Sequence, residues 1–95
     1  MSAYVIVDID VVDPEGYEEY KKLASAAVNL YGGRYLARGG RNETLEGEWH
    51  ARRLVLLEFQ SLERAKAWVN SPEYAPARAI RQKTAHTNMV VVEGA

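Results

Sequence analysis

The chain has no cysteine, which removes disulfide staples, thiolate metal sites and a cysteine nucleophile together. It also lacks an excess of either charge. Twelve Lys and Arg against thirteen Asp and Glu leave a formal charge of -1, so no field is present to hold a phosphate backbone, and no nucleic-acid partner is expected. Long apolar runs are missing as well. None approaches the roughly 18 residues of a membrane span, and the apolar start is broken by Asp8 and Asp10, unlike a signal peptide. The expected setting is the cytoplasm, with no membrane partner. No short spacing such as H-x-x-x-H appears between the two histidines, so neither a metal nor another cofactor is expected. Repeats, low-complexity tracts and linkers are absent too. What remains is 95 residues with 47% hydrophobic and 26% charged content, a balance that predicts one folded domain over residues 1–95.

Ala3 to Val12 is rich in β-branched residues and predicts a first strand. Val5, Val7, Ile9 and Val11 face one way, and Tyr4, Ile6, Asp8 and Asp10 the other. Asp13-Pro14 is a cap and first-turn pair, with Glu15, Glu18 and Glu19 near the positive end of a helix dipole. Tyr17, Tyr20, Leu23, Ala24, Ala27, Val28 and Tyr31 form the helix's apolar stripe, and Gly32-Gly33 ends it. Arg34 to Leu45 and Arg52 to Phe59 predict two strands joined as a hairpin through EGEWHA, with a bulge at Gly39-Gly40. Ser61 caps a short second helix that stops near Asn70. Ser71-Pro72 starts a third helical segment to about Ala85, its first turn made irregular by Pro76. Met89 to Glu93 is the last strand.

The order strand, helix, strand, strand, helix, strand predicts an α+β, ferredoxin-like βαββαβ fold with a four-stranded antiparallel sheet. In this reading strands one and three lie parallel in the middle. Helices cover the face of Val5, Val7, Ile9, Val55, Leu57 and Phe59. The other face carries Tyr4, Ile6, Leu36, Leu54 and Leu56, and nothing is left in the chain to cover it. Shielding five such side chains is worth on the order of several kcal/mol. A second copy is the expected cover, giving a homodimer that closes as a dimeric α/β barrel.

On that uncovered face the parallel arrangement gathers Asp8, Asp10 and Glu58 at one end. Arg38 approaches Glu58 from strand two, and His86 and Asn88 approach from the entry to strand four. A carboxylate among others in a partly closed cavity acts as acid or base, with His86 to move protons near neutral pH. The competing reading is a structural charge network at the barrel mouth. The candidate catalytic residues are therefore Asp8, Asp10, Glu58 and His86. Arg38, Tyr4, Leu56, Asn88 and Tyr74 are the candidate ligand-binding residues, with Arg38 suited to a carboxylate or enolate. Tyr17, Tyr20, Tyr31 and Trp68, at helical spacing, read as core. Trp49, beside His50, reads as packing or interface.

The stretches AYVIVDIDVVDPEGYEEY, YGGRYLARGG, LEGEW followed by RRLVLLEF, WVNSPEYAPARAIR and VVVEG resemble, in order and over nearly the whole chain, a bacterial family known as domain of unknown function number thirteen-thirty. The resemblance implies the dimeric α+β barrel of a superfamily that also houses small cofactor-free monooxygenases, lactone isomerases and antibiotic biosynthesis proteins. It implies no reaction. Asp8, Asp10, Arg38, Glu58, Asn70, Ser71 and Tyr74 are its matching polar positions, and Pro76 departs from its pattern. The functional expectation is a small-molecule-binding barrel with cofactor-free acid/base activity on an anionic metabolite. The alternatives are a non-catalytic binding module and a structural or stress-related one.

Overall fold

In the computed structural model, which describes residues 1–95, the opening alternation becomes strand β1, Ala3–Val11. Ala3, Val5, Val7 and Ile9 are buried, and the residues between them are only half-buried, the pattern of a sheet with one face covered. Asp13 caps helix α1, Pro14–Leu30, by accepting from the Gly16 amide at 3.3 Å. Pro14 stands at the helix start, where its missing amide hydrogen costs nothing. The helix buries Tyr17, Ala24, Ala27 and Val28. Strands β2, Arg34–Arg38, and β3, Arg53–Phe59, follow. Helix α2, Leu62–Val69, is capped by Ser61 Oγ, which accepts from the Arg64 amide at 3.1 Å. Helix α3, Ala75–Thr84, leads directly into strand β4, Ala85–Glu93.

The sheet order is β2-β3-β1-β4, and every neighbouring pair is antiparallel. With the order βαββααβ, in which α2 and α3 together stand where the motif has its second helix, this is the ferredoxin-like α+β fold. The expected parallel pairing of strands one and three does not occur. The crossover through α1 makes β2 run with β1, but the reversal between β2 and β3 then turns β3 against both. It is β3, not β2, that lies beside β1. Val5, Val7, Ile9, Val55, Leu57 and Phe59 all pack under the helices as expected. Their aromatic centre is a stack in which the Trp68 ring lies 5.2 Å from Phe59 and 4.5 Å from Tyr74.

Four further differences separate the structure from the expectation. Strand two ends at Arg38 rather than Leu45, so the chain from 39 to 52 is a long irregular connection instead of a short hairpin link. Gly39 terminates the strand, with φ 76° and its amide turned to the Leu54 carbonyl at 2.8 Å. The bulge lies earlier, between Tyr35 and Ala37. Strand four begins at Ala85 rather than Met89, because His86 and Asn88 pair alongside Asp10 and Asp8 to the end of β1. The Ser71-Pro72 signal makes a turn: Ser71 Oγ accepts from the Tyr74 amide and donates to the Trp68 carbonyl. Helix α3 starts only at Ala75, which leaves Pro76 in its first turn.

Candidate functional site

Antiparallel register separates the residues expected to gather. Glu58 pairs with Tyr4 at one end of β1, whereas Asp8 and Asp10 lie at the other, opposite Asn88 and His86. The Asp8, Asp10 and Glu58 cluster therefore does not form, and no group of His, Asp or Glu able to hold a metal is present. Glu58 is joined instead to Arg34, whose Nε donates to it at 2.6 Å. That bond, ahead of smaller contributions from Ser2 and Tyr4, holds its carboxyl below the usual range. Asp8 accepts from Trp49 Nε1 at 2.7 Å and from the Arg52 amide at 3.2 Å. Tyr4 and Leu56, with Asp8, Asp10, His86 and Asn88, stand on the outer face, away from the helices. Tyr74 is fully buried beneath them.

Arg38 is the exception. The extra residue between Tyr35 and Ala37 changes the parity of everything after it, so Arg38 pairs with Val55 and turns to the helix side. Arg34, before the bulge, keeps to the outer face opposite Glu58. Under α1, Arg38 stacks on the Tyr35 ring at 4.2 Å and donates to the Lys21 carbonyl at 3.2 Å. It thereby enters a narrow cleft between α1 and the sheet, whose enclosed part has room for about one water molecule before it opens to solvent. Val7, Ile9, Val55 and Leu57 form the floor, the rings of Tyr17, Tyr20, Tyr35 and Trp68 form walls, and Lys21, Arg38 and Arg53 supply the charge.

Three cations and no carboxylate line this cleft. Lys21 is paired with Glu18 at 2.8 Å, but neither arginine has an acidic partner. Arg53 lies 5.8 Å from the Tyr17 ring, and its Nε is buried without a hydrogen-bond partner, as is Trp68 Nε1. Burial raises the Tyr17 phenol against the opposing pull of Arg53, and raises Tyr35 against that of Arg38. Tyr20 is pushed far up, first by burial and then by Tyr74, whose hydroxyl lies 2.8 Å from its own. All three stay protonated at neutral pH and are hydrogen-bond donors rather than bases.

The cleft residues missed in the sequence carried one readable signal. Arg53 shares the parity of Val55, Leu57 and Phe59, and an arginine on a strand's core-facing side marks either a buried partner or a ligand. Tyr17, Tyr20 and Trp68 looked like core, and they are core on one side and cleft wall on the other.

The chain matches a family model described as domain of unknown function, DUF1330, over residues 2–95. No curated protein matches it. Similar solved structures share the fold at low identity. A protein of unknown function from Rhodopseudomonas palustris is 16% identical with a TM-score of 0.79, the match covering 99% of this chain and 82% of that one. A dimeric ferredoxin-like protein of unknown function from Jannaschia sp. CCS1 is 13% identical with a TM-score of 0.72, covering 99% and 100%. SnoaB, a cofactor-independent oxygenase from Streptomyces nogalater, is 10% identical with a TM-score of 0.67, covering 99% and 93%.

Proposed function

We propose, for a chain that belongs to the DUF1330 family, that the cleft between α1 and the sheet binds a small, planar, anionic metabolite. The observation that carries this reading is the pair of arginines without acidic partners, Arg38 and Arg53, set among aromatic walls. A guanidinium fork receives a carboxylate or enolate oxygen at the mouth, and a flat apolar body enters between the Tyr17, Tyr20, Tyr35 and Trp68 rings as the narrow cleft opens to admit it. In this cleft the Tyr17 and Tyr35 hydroxyls, protonated at neutral pH, act with the arginines to stabilise negative charge that develops on a substrate oxygen, while the Tyr20 hydroxyl is taken by Tyr74. Asp8, Asp10, His86 and Glu58 stand outside it and take no proton from a molecule bound there.

A homodimer belongs to the same proposal. Tyr4, Ile6, Leu54, Leu56, Val90 and Val92 make an apolar outer face, with Val90 60% and Val92 50% exposed. The Jannaschia protein of the same fold is dimeric, which supports a second copy as the cover.

Benzoate, an aromatic carboxylate, is the simplest probe. Calorimetric titration of the purified protein is expected to show one site per chain, weakened at least about tenfold in Arg38→Ala. Unaltered affinity in that variant would refute the cleft as the binding site. Mass spectrometry of carboxylates incubated with the protein then separates the two functional classes: a converted compound marks an enzyme, and compounds recovered unchanged mark a binding module.

A further inference from the structure

The connection from 39 to 52 begins directly after Arg38 and ends directly before Arg53, so it joins the two unpaired cations of the cleft. Yet it is fastened on the far side of the sheet. Asp8 points from β1 to the outer face, while its chain neighbours Val7 and Ile9 line the cleft. Both carboxylate oxygens of Asp8 are spent on the connection, Oδ2 accepting from Trp49 Nε1 and Oδ1 from the Arg52 amide. Apolar burial does not hold this strap down, since Leu45 is 95% and Trp49 59% exposed. Charge-assisted hydrogen bonds do. The Thr44 hydroxyl, donating to the Trp49 carbonyl, closes the strap on itself.

The two ends of the strap meet at Arg53. Gly39 lies against the Arg53 guanidinium so closely that a Cβ there would collide with it, and its φ of 76° already favours glycine. Arg52 is held by its amide to Asp8, and Arg53, the first residue of β3, pairs with Ile9, whose side chain faces the cleft. The β1–β3 ladder thus sets the Arg53 backbone, while residue 52, held by Asp8, and Gly39 on the returning chain adjoin it and bound the space left to its side chain.

We propose that Asp8 is a positioning residue for the cleft: acting through Trp49 and Arg52 from the opposite face of the sheet, it holds Arg53 in the orientation that receives an anion. This inference rests on the cleft being the anion site. Asp8 touches no molecule bound there.

The test compares the purified wild-type chain with Asp8→Ala, Asp8→Asn and Arg38→Ala, using benzoate titration and NMR exchange rates of arginine Nε–H groups. Asp8→Ala is expected to weaken benzoate binding about tenfold, the loss of two bonds to a charged acceptor. It should also speed solvent exchange at Arg53 Nε–H, which is buried in the wild type. Arg34 Nε–H, held by Glu58, is the internal control and should not change. Asp8→Asn keeps one acceptor oxygen and should recover part of both effects, which a merely structural role would not grade in this way. Wild-type exchange at Arg53 in Asp8→Ala overturns the inference even where benzoate still distinguishes Arg38→Ala, and the cleft reading then stands alone. Should benzoate fail to bind any variant, the cleft reading fails and the Arg53 exchange rate still decides whether Asp8 positions it. Trp49→Phe, which removes only the indole donor, carries the same comparison if Asp8→Ala does not fold.

Discussion

Tyr20 and Tyr74 show how one residue serves two demands. Their hydroxyls meet at 2.8 Å, so each satisfies the other beneath the helices, while the Tyr20 ring also walls the cleft. Truncating either hydroxyl leaves its partner buried and unsatisfied, at a cost of about 1–3 kcal/mol. The pair also makes stability depend on pH in a stated direction. Burial, then the Tyr74 hydroxyl, raises the Tyr20 phenol above the value it has in the unfolded chain. Folding thus favours the protonated form, and its contribution is complete below about pH 10 and is lost as pH rises above that, where the unfolded phenol ionises. Tyr17 and Tyr35, raised by burial as well, act in the same direction. Urea denaturation from about pH 8 to about pH 11.5 is expected to show a flat midpoint and then a fall beginning near pH 10. In Tyr20→Phe the starting midpoint is lower and the fall shallower. An equally steep fall in that variant would locate the alkaline sensitivity elsewhere.

At the scale of the element, the single extra residue in β2 decides which arginine belongs to the cleft. Tyr35 pairs with Leu57, Ala37 with Leu56 and Arg38 with Val55, leaving Leu36 unpaired and exposed. Deleting Leu36 joins these same pairs into a regular ladder and keeps Arg38 on the helix side. The shortened chain should fold and bind benzoate within about threefold of wild type, a difference of well under 1.4 kcal/mol. A loss as large as that of Arg38→Ala would mean that Leu36, and not the parity, sets the arginine. This bulge is also where the sequence stopped being legible. Strict alternation through β1 and β3 placed every core residue on the correct face, because a buried apolar face fixes register. Strand β2 offers no such pattern: Arg34, Leu36, Ala37 and Arg38 are all exposed, so nothing apolar announces the change of parity at residue 36. The sequence therefore puts Arg38 beside Glu58, and it is Arg34 that meets it. The caps at Asp13 and Ser61 were readable because a short polar side chain before a helix has one local task, and it performs it in both places.

For the whole molecule, the relevant fact is that the sheet has two unlike faces. One is closed by α1, α2 and α3 over the core. The other presents Ile6 at its centre, flanked in register by Leu56 and Val90. Packing these against a second copy returns roughly 1.5–3 kcal/mol for each large side chain fully covered, and no charged residue stands among the three. Ile6→Glu puts a carboxylate where two copies would meet, so that each dimer would bury two like charges without partners. The side chain at position 6 points away from the helices, so the core beneath them is untouched and the chain should stay folded. Light scattering on the wild type is expected to give twice the chain mass of 10.7 kDa. Ile6→Glu should give the single-chain mass, with the far-ultraviolet circular dichroism of the wild type preserved. A wild type that scatters as one chain, or a variant that still scatters as two, would remove the outer face as the site of assembly.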